Sequence, residues 1–159
     1  MTLRLIDMSL RYAFALILLL FNVQAHGDSE PGKQKFHLNE KTENDIGYAQ
    51  AVRVGDVVYI SGSVGAGPMP HAVHDAYEEI KKTLAAYGLT FQDVAKENIY
   101  STQLDEFIKH KDLRRAYYNE DFPAATWVQV ARLYVPKLVL EVEVTAVMPT
   151  VTQPESGKR

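Results

Sequence analysis

Hydrophobic and polar positions alternate most regularly from Leu138 to Val147. Leu138, Leu140, Val142, Val144 and Ala146 share one side, and Val139, Glu141, Glu143 and Thr145 share the other. Period-two patterning with β-branched residues predicts a strand. Its polar side carries two carboxylates, at i and i+2, in a segment too apolar for a free surface strand. That side is either plain solvent surface or the wall of a cleft. Thr126 to Leu133 alternates in the same way, with Trp127, Gln129 and Ala131 opposed to Val128, Val130 and Arg132. The Tyr134–Lys137 link contains Pro136 and fits a short connection between antiparallel neighbours.

Earlier in the chain, Lys35 to Leu38 suits a short strand and Tyr48 to Ser61 a hairpin turning at Gly55-Asp56. Ser61 to Pro70 reads as a Gly/Pro loop that lacks the Gly-Lys-Ser/Thr ending of a phosphate loop. From Pro70 to Tyr87, residues Val73, Ala76, Tyr77, Ile80, Leu84 and Tyr87 recur at helical steps. Glu78, Glu79, Lys81 and Lys82 fall on the opposite side, and Gly88 closes the helix. A strand is predicted over Ala95 to Thr102, then a second helix from Asp105 to Asn119 with Phe107, Leu113, Ala116 and Tyr117 as its stripe. The order β-ββ-α-β-α-ββ predicts an α+β fold, a mixed sheet with two helices packed on one face. No helix remains to cover the other face, so self-association is the economical way to bury it.

The N-terminus changes the picture. Arg4 and Arg11 precede an apolar run from Tyr12 to Val23, followed by Val23-Gln24-Ala25. This is the pattern of an export signal, and about 12 apolar residues fall short of the ~20 that cross a bilayer. Cleavage is expected after Ala25, giving a periplasmic or secreted protein with no stable membrane span; the alternative is an uncleaved N-terminal anchor. Residues 26–45 would hold a flexible lead-in and the first strand, and residues 150–159 a disordered polar tail.

With 159 residues the chain makes one domain, and its net charge of −3, with no basic stripe, gives no reason to expect a nucleic-acid partner. The absence of cysteine excludes disulfides, thiolate metal sites and a cysteine nucleophile. His71, His74 and Glu78 share one helix face, but structural zinc takes four ligands and nothing supports these three. They read as polar residues on an exposed first turn, and no metal is expected. Ser61-Gly62-Ser63 follows a strand into a loop and is no nucleophile elbow.

Several short strings, in order, resemble the reactive-intermediate deaminase family (RidA, also YjgF). They are Ile46-Gly47-Tyr48, Val58-Tyr59-Ile60-Ser61-Gly62, Ala86-Tyr87-Gly88-Leu89, Phe122-Pro123-Ala124, Val130-Ala131-Arg132-Leu133 and Leu140-Glu141-Val142-Glu143. The resemblance covers a RidA-like domain over residues 46–149. It implies a chorismate-mutase-like fold, a homotrimer, and clefts between subunits that bind a small molecule such as an imino or keto acid. It further implies hydrolysis of 2-imino or enamine acids without any cofactor. By position, Glu141 matches the carboxylate that orients the attacking water, Tyr48 the cleft tyrosine, and Gly62 the glycine whose backbone helps hold ligand.

One position departs from the family. Active members carry Pro-Ala-Arg where this chain has Pro123-Ala124-Ala125. That arginine grips the substrate carboxylate through two parallel hydrogen bonds. Its loss is expected to cost on the order of 2–5 kcal/mol of binding and orientation. Trp127 would add apolar bulk near the cleft or the subunit contact. Lys111 matches a ligand-facing position and, with Arg114 one turn along, is a candidate substitute cation; the favoured reading makes both solvated helix residues. Arg132 matches a family arginine outside the site. Two function classes follow: a deaminase of imine or enamine compounds with altered substrate range, or a non-catalytic trimer that binds a metabolite or serves a structural role.

Overall fold

The computed structural model describes residues 32–150. The expected export signal, most of the lead-in and the tail from residue 151 onward lie outside the described residues. Six strands form one sheet: β1 (Gln34–Phe36), β2 (Ala51–Val54), β3 (Val57–Ala66), β4 (Val94–Ser101), β5 (Ala124–Gln129) and β6 (Leu138–Val147). Four helices accompany them: α1 (Glu40–Ile46), α2 (Met69–Ala86), α3 (Leu104–Lys109) and α4 (Lys111–Tyr118). The strand order is β1-β2-β3-β6-β4-β5, antiparallel throughout except for the parallel pair β4–β5.

Helix α2 lies across β3 and β6 and closes the core. The stripe Val73, Ala76, Tyr77, Ile80 and Leu84 is fully buried against Val58, Ile99, Val142 and Ala146. Each large aliphatic side chain buried this way contributes about 1.5–3 kcal/mol of transfer free energy. The apolar side of β6 faces this core, while Glu141, Glu143 and Thr145 point away from it, each half-buried. Among the described residues the face they share stays open at Tyr59, which is 53% exposed, and at Val128, which is 38% exposed.

The α+β class and the single-faced helix layer agree with the expectation, and four details differ. The segment Glu40–Ile46 is helical, capped by the Asn39 side chain accepting from the Thr42 N–H and ended by Gly47 at φ +96°. Strand β3 runs through Ser61–Ala66, so the expected loop is mostly strand. The expected second helix breaks at His110, which ends α3 and begins α4. Phe107, Arg114 and Tyr118 stand seven and four apart, spacings that a straight helix also satisfies, so periodicity carries no mark of the break.

The largest correction concerns the two C-terminal strands. They are not a hairpin, because β4 sits between β5 and β6. The α3–α4 segment is a crossover, the kind of connection that parallel strands require, and it returns β5 alongside β4. Trp127 then docks edge-on against Phe107, ring centroids 5.1 Å apart.

Under this crossover lies a buried ionic cluster. Glu97 is fully buried and accepts hydrogen bonds from the Tyr77 hydroxyl (2.7 Å), the Tyr118 hydroxyl (2.6 Å) and Arg114 Nε (2.7 Å). The Arg114 guanidinium, in turn, lies 4.8 Å from the Tyr118 ring centroid and 5.4 Å from that of Trp127. Arg114 is therefore not a solvated helix residue. It neutralises Glu97, and that commitment leaves it unfit as a spare anchor for a ligand.

Candidate active site

Glu141 is held on β6 between Val64 of β3 and Tyr100 of β4. Opposite it, β3 loses register between Ile60 and Ser63. The Ser61 N–H donates to the Gln50 carbonyl at 2.9 Å and its hydroxyl donates to the Ala49 carbonyl at 2.7 Å. These bonds fix the bulge and bring Gly62 under the Glu141 side chain. A Cβ at Gly62 would collide with Glu141 Oε1, so only glycine lets the carboxylate lie against this backbone.

Tyr48 enters from the end of α1. Its N–H donates to the Glu43 carbonyl at 3.0 Å, just past the left-handed Gly47. The buried Glu43 carboxylate ties the surrounding loop together. It accepts from the N–H groups of Leu38 (2.8 Å), Asn39 (2.7 Å) and Gln50 (2.9 Å), and lies 2.6 Å from His37 Nδ1. Burial pushes this carboxyl up, but the hydrogen bonds outweigh it and hold the pKa below the ordinary value.

Tyr48, Gly62 and Glu141 line one cleft of about 510 Å³. Its apolar wall includes Val64, Val135 and Leu138. Two further residues complete its chemistry, Glu79 from α2 and Tyr134 from the link before β6. Burial raises the Glu141 pKa above the carboxylate norm, and the charge of Glu143 adds to the effect. Glu79 is raised chiefly by burial as well, with Ser63 and Lys82 pulling it partly back. The Tyr48 hydroxyl is pushed up by burial and by the negative charges of Glu43 and Glu79. A partly desolvated carboxyl with a raised pKa holds a proton more readily than a free one, which suits proton transfer.

The other expected site residues lie elsewhere in the chain. Ala125 is exposed on the edge strand β5, beside Glu97 in the sheet register. Lys111 is exposed at the start of α4. Trp127 packs against Phe107 with its indole N–H buried and unpartnered. None of the three lines the Glu141 cleft within one chain.

Glu79 and Tyr134 were missing from the expected site. Glu79 falls by residue type on the polar side of its helix, yet Ala72, Ala76, Glu79 and Thr83 form a row at steps of four, three and four. The three neighbours of Glu79 in that row are fully buried. The row marks a buried flank, and it was visible in the sequence. His71 and His74 are exposed on α2, and among the described residues no group of three acidic, His or Cys side chains is placed to hold a metal ion.

A mixed sheet with helices on one face and a carboxylate cleft at its bulged third strand defines a small α+β protein of the YjgF-like class. A solved YjgF-family structure from Mycobacterium tuberculosis superposes with a TM-score of 0.68 at 26% identity, covering 74% of this chain and 100% of that one. The family described as Endoribonuclease L-PSP matches residues 40–148. This chain belongs to that family, known also as RidA/YjgF. Among its relatives is a 2-iminobutanoate/2-iminopropanoate deaminase of Dermatophagoides farinae, 33% identical over 95 residues, 54% of this chain and 74% of that protein. A RutC family protein of Saccharolobus solfataricus is 31% identical over 118 residues, 68% of this chain and 91% of its own length.

Proposed function

We propose that this protein is an exported hydrolase of imine or enamine compounds whose substrate range differs from that of its deaminase relatives. The observation that carries this reading is the placement of Glu141, a carboxylate of raised pKa against Gly62 and in one cleft with Tyr48. In the proposed step, Glu141 takes a proton from water as the oxygen attacks the C=N carbon. The π pair moves to nitrogen, the proton follows it, and collapse of the adduct gives a carbonyl compound and ammonia. The reaction consumes one water and needs no cofactor. Backbone groups around Gly62 would steady the developing charge.

Self-association into a trimer belongs to the same proposal. The exposed sheet face carrying Tyr59 and Val128 supports it. Export rests on the N-terminal pattern. A purified product beginning at His26 in the periplasm or medium would support it, and a full-length cytoplasmic product would overturn it.

The test is ammonia release from freshly generated imines, with and without a carboxylate, measured against the uncatalysed rate. Catalysis abolished by Glu141→Gln supports the hydrolase. No acceleration on any imine would favour the second reading, a non-catalytic trimer that binds a metabolite, for which Ala125 is the specific observation. Ala125→Arg sharpens the choice: a gain of activity on 2-iminopropanoate would establish that the rest of the site is competent. Cleavage of RNA, suggested by the family's description, suits this chain poorly, since an acidic cleft and a net charge of −3 repel phosphates.

A further inference from the structure

We infer that the cleft selects cationic nitrogen compounds with an apolar body, protonated amines and iminium ions, rather than carboxylate-bearing imino acids. This rests on the hydrolase reading for the location of the site and names the substrate class of that site.

The inference starts from the charges. Two carboxylates, Glu79 and Glu141, line the cleft, and none of the described residues that one chain contributes to its lining is Lys or Arg. A third carboxylate, Glu43, lies close enough to raise the pKa of both Tyr48 and Glu79. Lys82 lowers the Glu79 pKa by its charge, but it is an exposed residue one turn along α2 and does not line the cleft. A recess with low-dielectric walls and one sign of charge focuses its field on the opposite sign. A 2-imino acid entering here would bring an anion toward Glu79 and Glu141 with no guanidinium to meet it, because position 125 is alanine. Arg114 cannot move to help, being 5% exposed and bonded to Glu97.

The remaining walls fit a cation with a hydrocarbon part. Tyr48 and Tyr134 contribute aromatic rings to the lining, the latter 73% exposed. Aromatic faces combined with carboxylates are what ammonium groups prefer. Val64, Val135 and Leu138 would receive the alkyl or aryl body. The chemistry agrees with the charges. An iminium carbon is already electrophilic, so it needs no external cation for water to attack: R₂C=NH₂⁺ + H₂O gives R₂C=O + NH₄⁺, with Glu141 ferrying one proton from water to nitrogen. The substrate would come from a reaction that oxidises amines without a carboxylate to imines.

Binding of non-hydrolysable ligands tests this independently of turnover. Isobutylammonium, isobutanol and 2-oxobutanoate, each built on four carbons but cationic, neutral and anionic, are titrated calorimetrically into the whole protein at low salt. Isobutylammonium is expected to bind at least about tenfold more tightly than isobutanol, as one charge–carboxylate contact in a half-buried site implies, with 2-oxobutanoate weakest. Glu79→Gln should erase most of the preference for the cation over isobutanol. Tyr134→Ala, at an exposed position that folding does not depend on, should weaken isobutylammonium binding severalfold. Binding of 2-oxobutanoate as tight as that of isobutylammonium, equal binding of the cation and the alcohol, or binding of none of the three would each overturn the inference. The hydrolase reading would stand or fall separately, on ammonia release.

Discussion

Glu97 and Glu141 are carboxylates on neighbouring strands of one sheet, pointing to opposite faces, and their surroundings differ in every respect. Glu97 sits under the crossover helices, fully buried, with two tyrosine hydroxyls and one guanidinium on its oxygens. Glu141 lies half-buried in an open cleft, where burial and the nearby Glu143 raise its pKa and no cation lowers it. A carboxylate saturated with donors is committed to holding the fold. One that is partly desolvated and unpaired has proton affinity to spare. Residue type and burial alone do not separate a structural acid from a chemical one; the count of donors on its oxygens does.

The sharpest way to break this comparison is on the structural side. Arg114→Ala would leave Glu97 buried with an uncompensated charge, and should cost about 4 kcal/mol of stability. Urea unfolding checks it, and a loss below about 1 kcal/mol would mean that Glu97 is not held by charge. Replacing both partners with apolar residues, Glu97→Leu with Arg114→Met, should recover much of that loss.

The fold was more legible than the site, for a physical reason. Strand β6 and helix α2 announce themselves because burial of one face imposes a period on the sequence, and Val142 and Ile80 sit where that period places them. Glu141 was identified from its place on the polar side of β6 and from family resemblance. The β5–β6 pairing was misread because alternation tells which face a residue takes but not which strand lies beside it. Arg114 was misread because a charged helix residue is usually wet, and its partner Glu97 lies on a different element. Trp127, expected near the cleft or the subunit contact, packs within one chain against Phe107 of the crossover helix.

A second prediction concerns the loop that carries Tyr48. Glu43→Gln removes a charge that accepts three backbone N–H groups, and should cost about 3 kcal/mol. Its folded pKa lies below the ordinary value of 4.5, so its contribution to stability is present above pH 4.5 and is lost as pH falls through the folded value. Thermal unfolding followed against pH should therefore lose part of its acid sensitivity in the variant. An unchanged acid limb would mean that the carboxylate is not what holds the loop.

The smallest expected effect lies in the cleft itself. Since Glu143 helps to raise the pKa of Glu141, Glu143→Gln should move the acidic limb of the turnover profile toward lower pH without abolishing activity. In the unaltered protein that limb should lie above pH 4.5, because the base must be ionised to accept a proton. A limb at or below 4.5 would remove burial from the account.

Glu141→Gln, assayed at neutral pH for both stability and ammonia release from the best imine substrate, addresses the division between the two acids most directly. A raised folded pKa favours the protonated form, so the stability Glu141 contributes is greatest below pH 4.5 and is lost as pH rises through the folded value. Above that range the ionised side chain weighs against folding, and glutamine should leave the protein as stable as before or more so. Turnover should fall on the order of 10²–10⁴-fold, the usual weight of a general base. A variant that keeps its activity, or that loses stability as Arg114→Ala does, would contradict the account.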